Sequence, residues 1–215
     1  MEKSLKSYFS LKKPESQLEK EPKLGELVKT PIPQVPGLTL IENFLSEAEE
    51  RQLFQEINKM PWLSDLKRRT QHYGYKYDYN SRDTAGYLGE LPKFMDFIIE
   101  RMISQRVIEM RPDQCIVNEY EPGQGISPHI DIIKAFGNEI VSISLNSDII
   151  MDFYNADNNK VSVLLPRRSL VLLKDEARYK WKHGIAERKK DKLDNGLILY
   201  RRKRISLTFR TVINK

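Results

Sequence analysis

The sequence predicts a mainly β fold, a barrel or jelly roll with helices packed outside it. Two observations carry this. Two amphipathic stretches come early, and from about residue 114 the chain breaks into short segments rich in Val, Ile, Leu and Phe. Turn residues separate those segments, among them Pro122-Gly123, Asn158-Asn159, Pro166 and Asn195-Gly196.

Taken in order, residues 1–34 are rich in Lys, Glu, Ser and Pro, and predict a disordered tail and linker. Residues 35–215 form the expected folded domain, with the globular pattern setting in at Gly37. LTLIENFLS reads as a strand and a turn. Ser46 and Glu49 have capping-box spacing, and Leu53, Phe54 and Ile57 give the following helix one apolar face. A second helix is predicted over 92–105, with Phe94, Phe97, Ile98 and Met102 turned inward. Strands follow at QCIVNEY, EIVSISL, IIMDFY, VSVLL, SLVLL, GLILY and RISLTFRTV.

Composition removes several function classes. No run of the 215 residues approaches the roughly 18 apolar residues of a membrane helix, and the N-terminus lacks the apolar core of a secretory signal. One cysteine, Cys115, cannot make an internal disulfide, and one Cys with three His cannot build zinc-finger modules. A reducing compartment, nucleus or cytoplasm, is expected. The net charge of +6 permits an anionic partner without requiring one.

The three histidines are the first clue to chemistry. His129 lies two residues before Asp131, so on an extended segment both side chains leave the same side. His183 comes several strands later, where the sheet can fold back. Two His and one carboxylate are the facial set of non-haem Fe(II) oxygenases, which leaves positions open for substrate and O₂. The same residues, read alone, also fit an HxD arising by chance and His183 as an ordinary surface or core histidine. The last strand adds to the first reading. In RISLTFR, Arg204, Ser206, Thr208 and Arg210 share one face and Ile205, Leu207 and Phe209 the other. The two arginines are about 20 Å apart along the strand; leaning inward, they leave a gap near the length of a five-carbon diacid such as 2-oxoglutarate. A solvated outer face is the alternative.

NEYEPGQGISPHID, WKHG and RISLTFR together resemble the AlkB-type Fe(II)/2-oxoglutarate dioxygenases, whose pattern is N-x-Y, a glycine turn, HxD, a distal His and two arginines six apart. QHYGYKYDY and LLPRRSL resemble the tRNA wobble-uridine hydroxylase branch most, although 215 residues are expected to lack that branch's RNA-recognition and methyltransferase domains. The resemblance implies a double-stranded β-helix (jelly roll) with N-terminal supporting helices. It implies that His129, Asp131 and His183 hold Fe(II), that Arg204 with Tyr120 takes the distal carboxylate of 2-oxoglutarate, and that Arg210 and Asn118 serve the end nearer the metal. The implied activity, with O₂ as co-oxidant, is oxidation of an alkylated or modified base in DNA or RNA, as in oxidative dealkylation repair. The alternatives are hydroxylation of a tRNA wobble-uridine side chain and, from another class, a non-catalytic nucleic-acid-binding or clamp-binding module.

Two further segments point to partners. Lys67, Arg68 and Arg69 lead into His72, Tyr73 and Tyr75; basic residues beside aromatics suit a phosphate track and a base-stacking surface. The same segment also reads as a twisted hairpin whose tyrosines pack the barrel wall. Leu5, Tyr8 and Phe9 resemble a peptide that docks into the replication sliding clamp, with Glu2 where that pattern has Gln. A monomer is expected.

Overall fold

A computed structural model describes residues 27–64, 66–78, 83–193 and 195–213. The clamp-like Leu5, Tyr8 and Phe9 and most of the expected tail lie outside these residues.

Helix α1 (Glu47–Lys59) starts where the sequence predicts. Ser46 Oγ accepts the Glu49 amide at 3.3 Å and the Glu49 carboxylate accepts the Ser46 amide at 2.8 Å, which satisfies two otherwise unpaired helix-end donors. Leu53 and Ile57 are its buried stripe. The second predicted helix divides into a 3₁₀ turn (Lys93–Met95) and α2 (Asp96–Ser104). The tighter turn shifts the phase of the apolar face. Met95, Ile98, Ile99 and Met102 are buried, while Phe94 and Phe97, expected inward, are only half-buried at the margin of the core.

The strands are β1 (Thr30–Pro31), β2 (Leu38–Ile41), β3 (Arg69–Tyr73), β4 (Tyr75–Asp78), β5 (Asp83–Tyr87), β6 (Gln114–Tyr120), β7 (Ile126–His129) and β8 (Ile140–Leu145). After them come β9 (Ile149–Tyr154), β10 (Lys160–Leu165), β11 (Leu170–Leu173), a short helix α3 (Asp175–Tyr179), β12 (Lys182–Ile185), β13 (Lys190–Lys192), β14 (Ile198–Tyr200) and β15 (Arg204–Arg210). Seven form a large sheet in the order β1-β2-β11-β8-β15-β6-β3, and four form a smaller one, β10-β9-β12-β7. The large sheet has two apolar faces. Val117, Ile143, Ile205, Leu207 and Phe209 pack against α1 and α2. On its other side, Ile140, Val171 and Leu173 meet Met151, Phe153 and Ile185 of the small sheet. The result is the jelly roll with outer helices that the sequence predicts.

Two expectations are corrected. Thr30–Pro31, within the expected linker, pairs with Thr39 and Leu40, so the ordered unit begins before Gly37. GLILY is not a barrel strand. Only Ile198–Tyr200 is extended, and it pairs with Lys190–Lys192 in a separate two-stranded ribbon with Ile198 and Tyr200 exposed. Its apolar letters imitate a core strand, but no sheet face receives them.

Candidate active site

The site forms between the two sheets. β7 and β12 pair so that His129 and His183 are direct cross-strand partners. Their ring centroids lie 4.5 Å apart. Gly125 permits this approach, since a Cβ there would meet the Ile185 carbonyl oxygen at 2.1 Å. His129 Nδ1 lies 2.8 Å from the Ser127 carbonyl oxygen. A carbonyl only accepts, so Nδ1 donates and the lone pair falls on Nε2.

Asp131 is the second residue past the end of β7. Arg210 Nη2 donates to its Oδ1 at 2.9 Å. Its Oδ2 is buried without a hydrogen-bond partner, 4.0 Å from His183 Nε2. That separation is too long for a hydrogen bond, and neighbouring ligands of one small cation with bonds of about 2 Å stand about 3 Å apart, so the two atoms need to close by only about 1 Å to share one. His183 Nδ1 is also buried and unpartnered. No group of three or more His, Cys, Asp and Glu donors among the described residues is closed into a ready metal shell. The unpartnered Oδ2 and the neighbouring His183 Nε2 are nevertheless donors that a cation bound between them would satisfy. The residues therefore fit an Fe(II) ion.

Electrostatics suit the same role. Burial opposes the charge on Asp131, but Arg210 and the neighbouring histidines outweigh it and hold the carboxyl well below the usual range. Burial, helped by His129, pushes His183 down to about 3 against the pull of Asp131. At neutral pH the pair therefore offers an anionic oxygen and a neutral imidazole.

Sequence reasoning missed Arg178 on α3. It is 2% exposed, and its guanidinium donates to the carbonyls of Asp131, Ile132, Phe136 and Gly137 at 2.7–3.2 Å. This knots the loop leaving Asp131 against α3. Nothing in the spacing of Arg178 marks it, because only the fold brings α3 over that loop.

The polar face of β15 lines a cleft of about 850 Å³ shared with the His129, Asp131 and His183 side chains. Arg204 stands opposite Tyr120, Ser206 opposite Asn118, and Arg210 opposite Gln114. Arg204 is 1% exposed, and its guanidinium donates to Ser144 Oγ at 2.8 Å and lies 5.7 Å from the Tyr120 ring centroid. Both partners are neutral, and a buried cation calls for an anion. Burial accordingly pulls Arg204 down to about 10, with Tyr120 acting the other way. A dicarboxylate entering the cleft would supply the missing charge, so 2-oxoglutarate also fits. Arg210 stands beside the candidate metal ligands, bound to Asp131 and, through Nη1 at 3.1 Å, to Gln114. Asn118 Oδ1 accepts from Arg68 Nε at 2.9 Å.

The expected nucleic-acid residues divide. Lys67 is exposed at the mouth, 3.8 Å from a Glu187 carboxylate oxygen. Arg68 turns toward Asn118, its guanidinium 5.8 Å from the Tyr120 ring centroid. Arg69 forms a two-bond pair with Glu119 at 2.8 and 2.9 Å and lies over Trp62. Tyr73 packs edge-on against Phe94 of the helix layer and donates to Gln71 at 2.9 Å. Tyr75 packs on Tyr87 at 5.1 Å. His72 is on the cleft side of β3, its Nδ1 accepting the Tyr77 amide at 3.1 Å. Among the described tyrosines of this segment, Tyr77 lines the cleft, packed against Phe136.

Comparison with known proteins agrees with this geometry. The family profile described as "2OG-Fe(II) oxygenase superfamily" matches residues 37–210. An uncharacterized protein of Acanthamoeba polyphaga mimivirus is 40% identical over 83% of this chain and 86% of its own length. The tRNA (carboxymethyluridine(34)-5-O)-methyltransferase ALKBH8 of Macaca fascicularis is 43% identical over 73% of this chain but only 25% of its own length. The alkylated DNA repair protein ALKBH8 homolog of Arabidopsis thaliana is 39% identical over 84% of this chain and 59% of its own length. The chain thus spans a minor part of the first of these two named relatives and a little over half of the second. Among solved structures, OsALKBH1 superposes with a TM-score of 0.65 at 19% identity over 86% of this chain and all of that one, a likeness of fold.

Proposed function

The chain belongs to the 2OG-Fe(II) oxygenase superfamily, and on that premise we propose that it oxidises a C–H bond of an alkylated or modified base in nucleic acid. It is an enzyme that uses Fe(II), 2-oxoglutarate and O₂. The observation that carries the proposal is the single cleft holding both His129, Asp131 and His183 and the charge-unmatched Arg204.

In this reading His129 Nε2, Asp131 and His183 hold Fe(II), Arg210 keeps Asp131 ionised and oriented, and Arg204 with Ser144 and Tyr120 takes the distal carboxylate of 2-oxoglutarate. With O₂, the bound iron and 2-oxoglutarate supply the oxidising power, 2-oxoglutarate leaving as succinate and CO₂. The protein orients the target carbon and excludes water. Asn118 and Arg68, bonded to each other beside Tyr120, line the same cleft. If oxygen enters an alkyl carbon on a base nitrogen, the resulting hemiaminal loses an aldehyde and restores the base. A carbon-linked substituent keeps its hydroxyl.

That second outcome is the alternative reading, hydroxylation of a tRNA wobble-uridine side chain. The 43% identity to part of a tRNA-modifying relative favours it. Both readings are tested together. The protein is given Fe(II), 2-oxoglutarate and O₂ with methylated oligonucleotides or bulk tRNA, and succinate, formaldehyde and nucleoside mass are followed. Formaldehyde with restored bases supports dealkylation. One added oxygen on a tRNA nucleoside without formaldehyde supports the alternative. Succinate that responds to neither substrate would discard both.

A further inference from the structure

The ribbon β13–β14 has two unlike faces. Asp191, 0% exposed, receives Arg201 through two bonds at 2.7 and 2.8 Å and Arg188 at 2.6 Å. Arg201 also donates to the Ala186 carbonyl at 2.6 Å. This knot anchors the ribbon to the strand that carries His183. Arg188 and Arg201 are thereby used internally.

The outer face is a different set. Lys190 is paired across the ribbon with Tyr200, and Lys192 with Ile198. Cross-strand partners point the same way, so two ammonium groups, an aromatic ring and an aliphatic side chain form one surface. All four are exposed, Tyr200 at 71%. Among the described residues no carboxylate stands within ion-pair distance of Lys190 or Lys192. The ribbon also begins at the rim of the cleft: Ile185 and Glu187 line it, and the Lys189 side chain lies 3.6 Å from where a Cβ would stand on Gly123 in the opposite turn.

We propose that the outer face of this ribbon, Lys190, Lys192, Ile198 and Tyr200, docks a single-stranded stretch of the substrate nucleic acid beside the base held in the cleft. Charge complementarity selects the partner. Lys190 and Lys192 are two residues apart, about 7 Å along the strand, and present two cations in line for a polyanion backbone. Tyr200, standing free beside them, offers a face on which an unpaired base stacks; bases already stacked in a duplex could not use it. The inference rests on the nucleic-acid reading above and adds where the strand runs.

The test is fluorescence anisotropy of the full chain with a labelled mixed-sequence single-stranded oligonucleotide, from about 50 to about 200 mM salt, the range over which phosphate contacts are most visible. The variants are Lys190→Gln/Lys192→Gln and Tyr200→Ala. Lys59→Gln/Lys93→Gln, on the helix layer, controls for lost charge. The ribbon lysine pair is expected to weaken binding about tenfold at low salt and to flatten the salt slope by about 1.4, at about 0.7 for each lost single-strand contact. Tyr200→Ala is expected to weaken single-strand binding by about fivefold to a hundredfold, and duplex binding less. The control pair should change neither, and unaltered melting temperatures show that the ribbon variants fold. If the wild type binds the oligonucleotide and the ribbon variants bind equally well, the ribbon inference is wrong while the nucleic-acid reading stands. If the wild type binds none yet turns over 2-oxoglutarate, both fall. A wild-type dimer that Tyr200→Ala dissociates, with oligonucleotide affinity unchanged, would make this face a self-association surface instead.

Discussion

Arg178 reaches Asp131 through the main chain: its Nη1 donates to the Asp131 carbonyl at 2.7 Å, while Arg210 holds the Asp131 carboxylate at 2.9 Å. One arginine fixes where the residue sits and the other fixes how its side chain points. Arg178→Lys can satisfy at most part of the array of four carbonyls, because an ammonium is not a planar fork. The expected result is about 10- to 100-fold weaker binding of Co(II) to the metal-free protein, followed by its visible absorption, a range typical of lost outer-layer support. Unaltered Co(II) affinity in a folded Arg178→Lys protein would limit the residue to general stability.

Arg204 carries opposite consequences for binding and for folding. Among the described residues, its buried charge has Ser144 and the Tyr120 ring beside it and no carboxylate in ion-pair distance. Replacing it with Met removes an uncompensated cation of similar volume, so the ligand-free protein should unfold at a higher temperature. The same change should abolish the rise in melting temperature on adding 2-oxoglutarate and raise its KM at least about tenfold, from the loss of charge-assisted bonds worth roughly 1.5–3 kcal/mol. Ser144→Ala should give the smaller effect, about 1 kcal/mol or less. A destabilised Arg204→Met protein that still answers to 2-oxoglutarate would assign the residue to the core instead.

These two arginines also show where the sequence was readable. In β15 the alternation of Arg204, Ser206, Thr208 and Arg210 with Ile205, Leu207 and Phe209 has a definite phase, so the polar face is visible before folding. In β3, RTQHY is polar throughout and has no phase of its own. Pairing with β6 sets it: Thr70 and His72 oppose Asn118 and Ile116 on the cleft side, which sends Arg69, Gln71 and Tyr73 to the helix side. That is why Arg69 and Tyr73, two of the expected nucleic-acid contacts, meet Glu119 and Phe94 on the helix side. His183 was found from its residue type alone, since the short strand KHGI lacks the apolar run that marks its neighbours. Ser144 and Arg178 carried no local signal, because their roles depend on contacts 60 and 47 residues away.

The placement of Arg69 in β3 makes its own prediction. Arg69→Ala strands Glu119, whose side chain is only 4% exposed, with Lys203 3.6 Å away as its remaining cation. Because Arg69 itself is 43% exposed, the loss should be modest, about 1–2 kcal/mol by urea unfolding. Pairing it with Glu119→Gln should recover part of that. Oligonucleotide affinity in the folded Arg69→Ala protein should stay within about twofold, whereas an exposed phosphate contact would lower the salt slope by about 0.7. A stable variant with a flattened slope would return Arg69 to the nucleic-acid track.

Glu49 links the start of α1 to α2, and this sets an acid limit on the helix layer. Its carboxylate caps the Ser46 amide and is gripped by Arg101, which also donates to the Phe44 carbonyl at 2.8 Å. Arg101 above all pulls Glu49 down to about 2 from its ordinary 4.5, against partial burial. The unfolded chain therefore binds the proton more readily than the folded one. The stabilisation is complete above about pH 4.5 and drains away as the pH falls toward about 2. Glu49→Gln keeps an acceptor for Ser46 but loses the charge, and should cost about 1 kcal/mol at pH 7. Measured by urea unfolding at pH 7, 4 and 3, the gap between wild type and variant should narrow step by step, since protonating Glu49 does to the wild type what the substitution has already done. A gap of constant size across that range would mean that the shape of the cap, and not its charge, holds the two helices together.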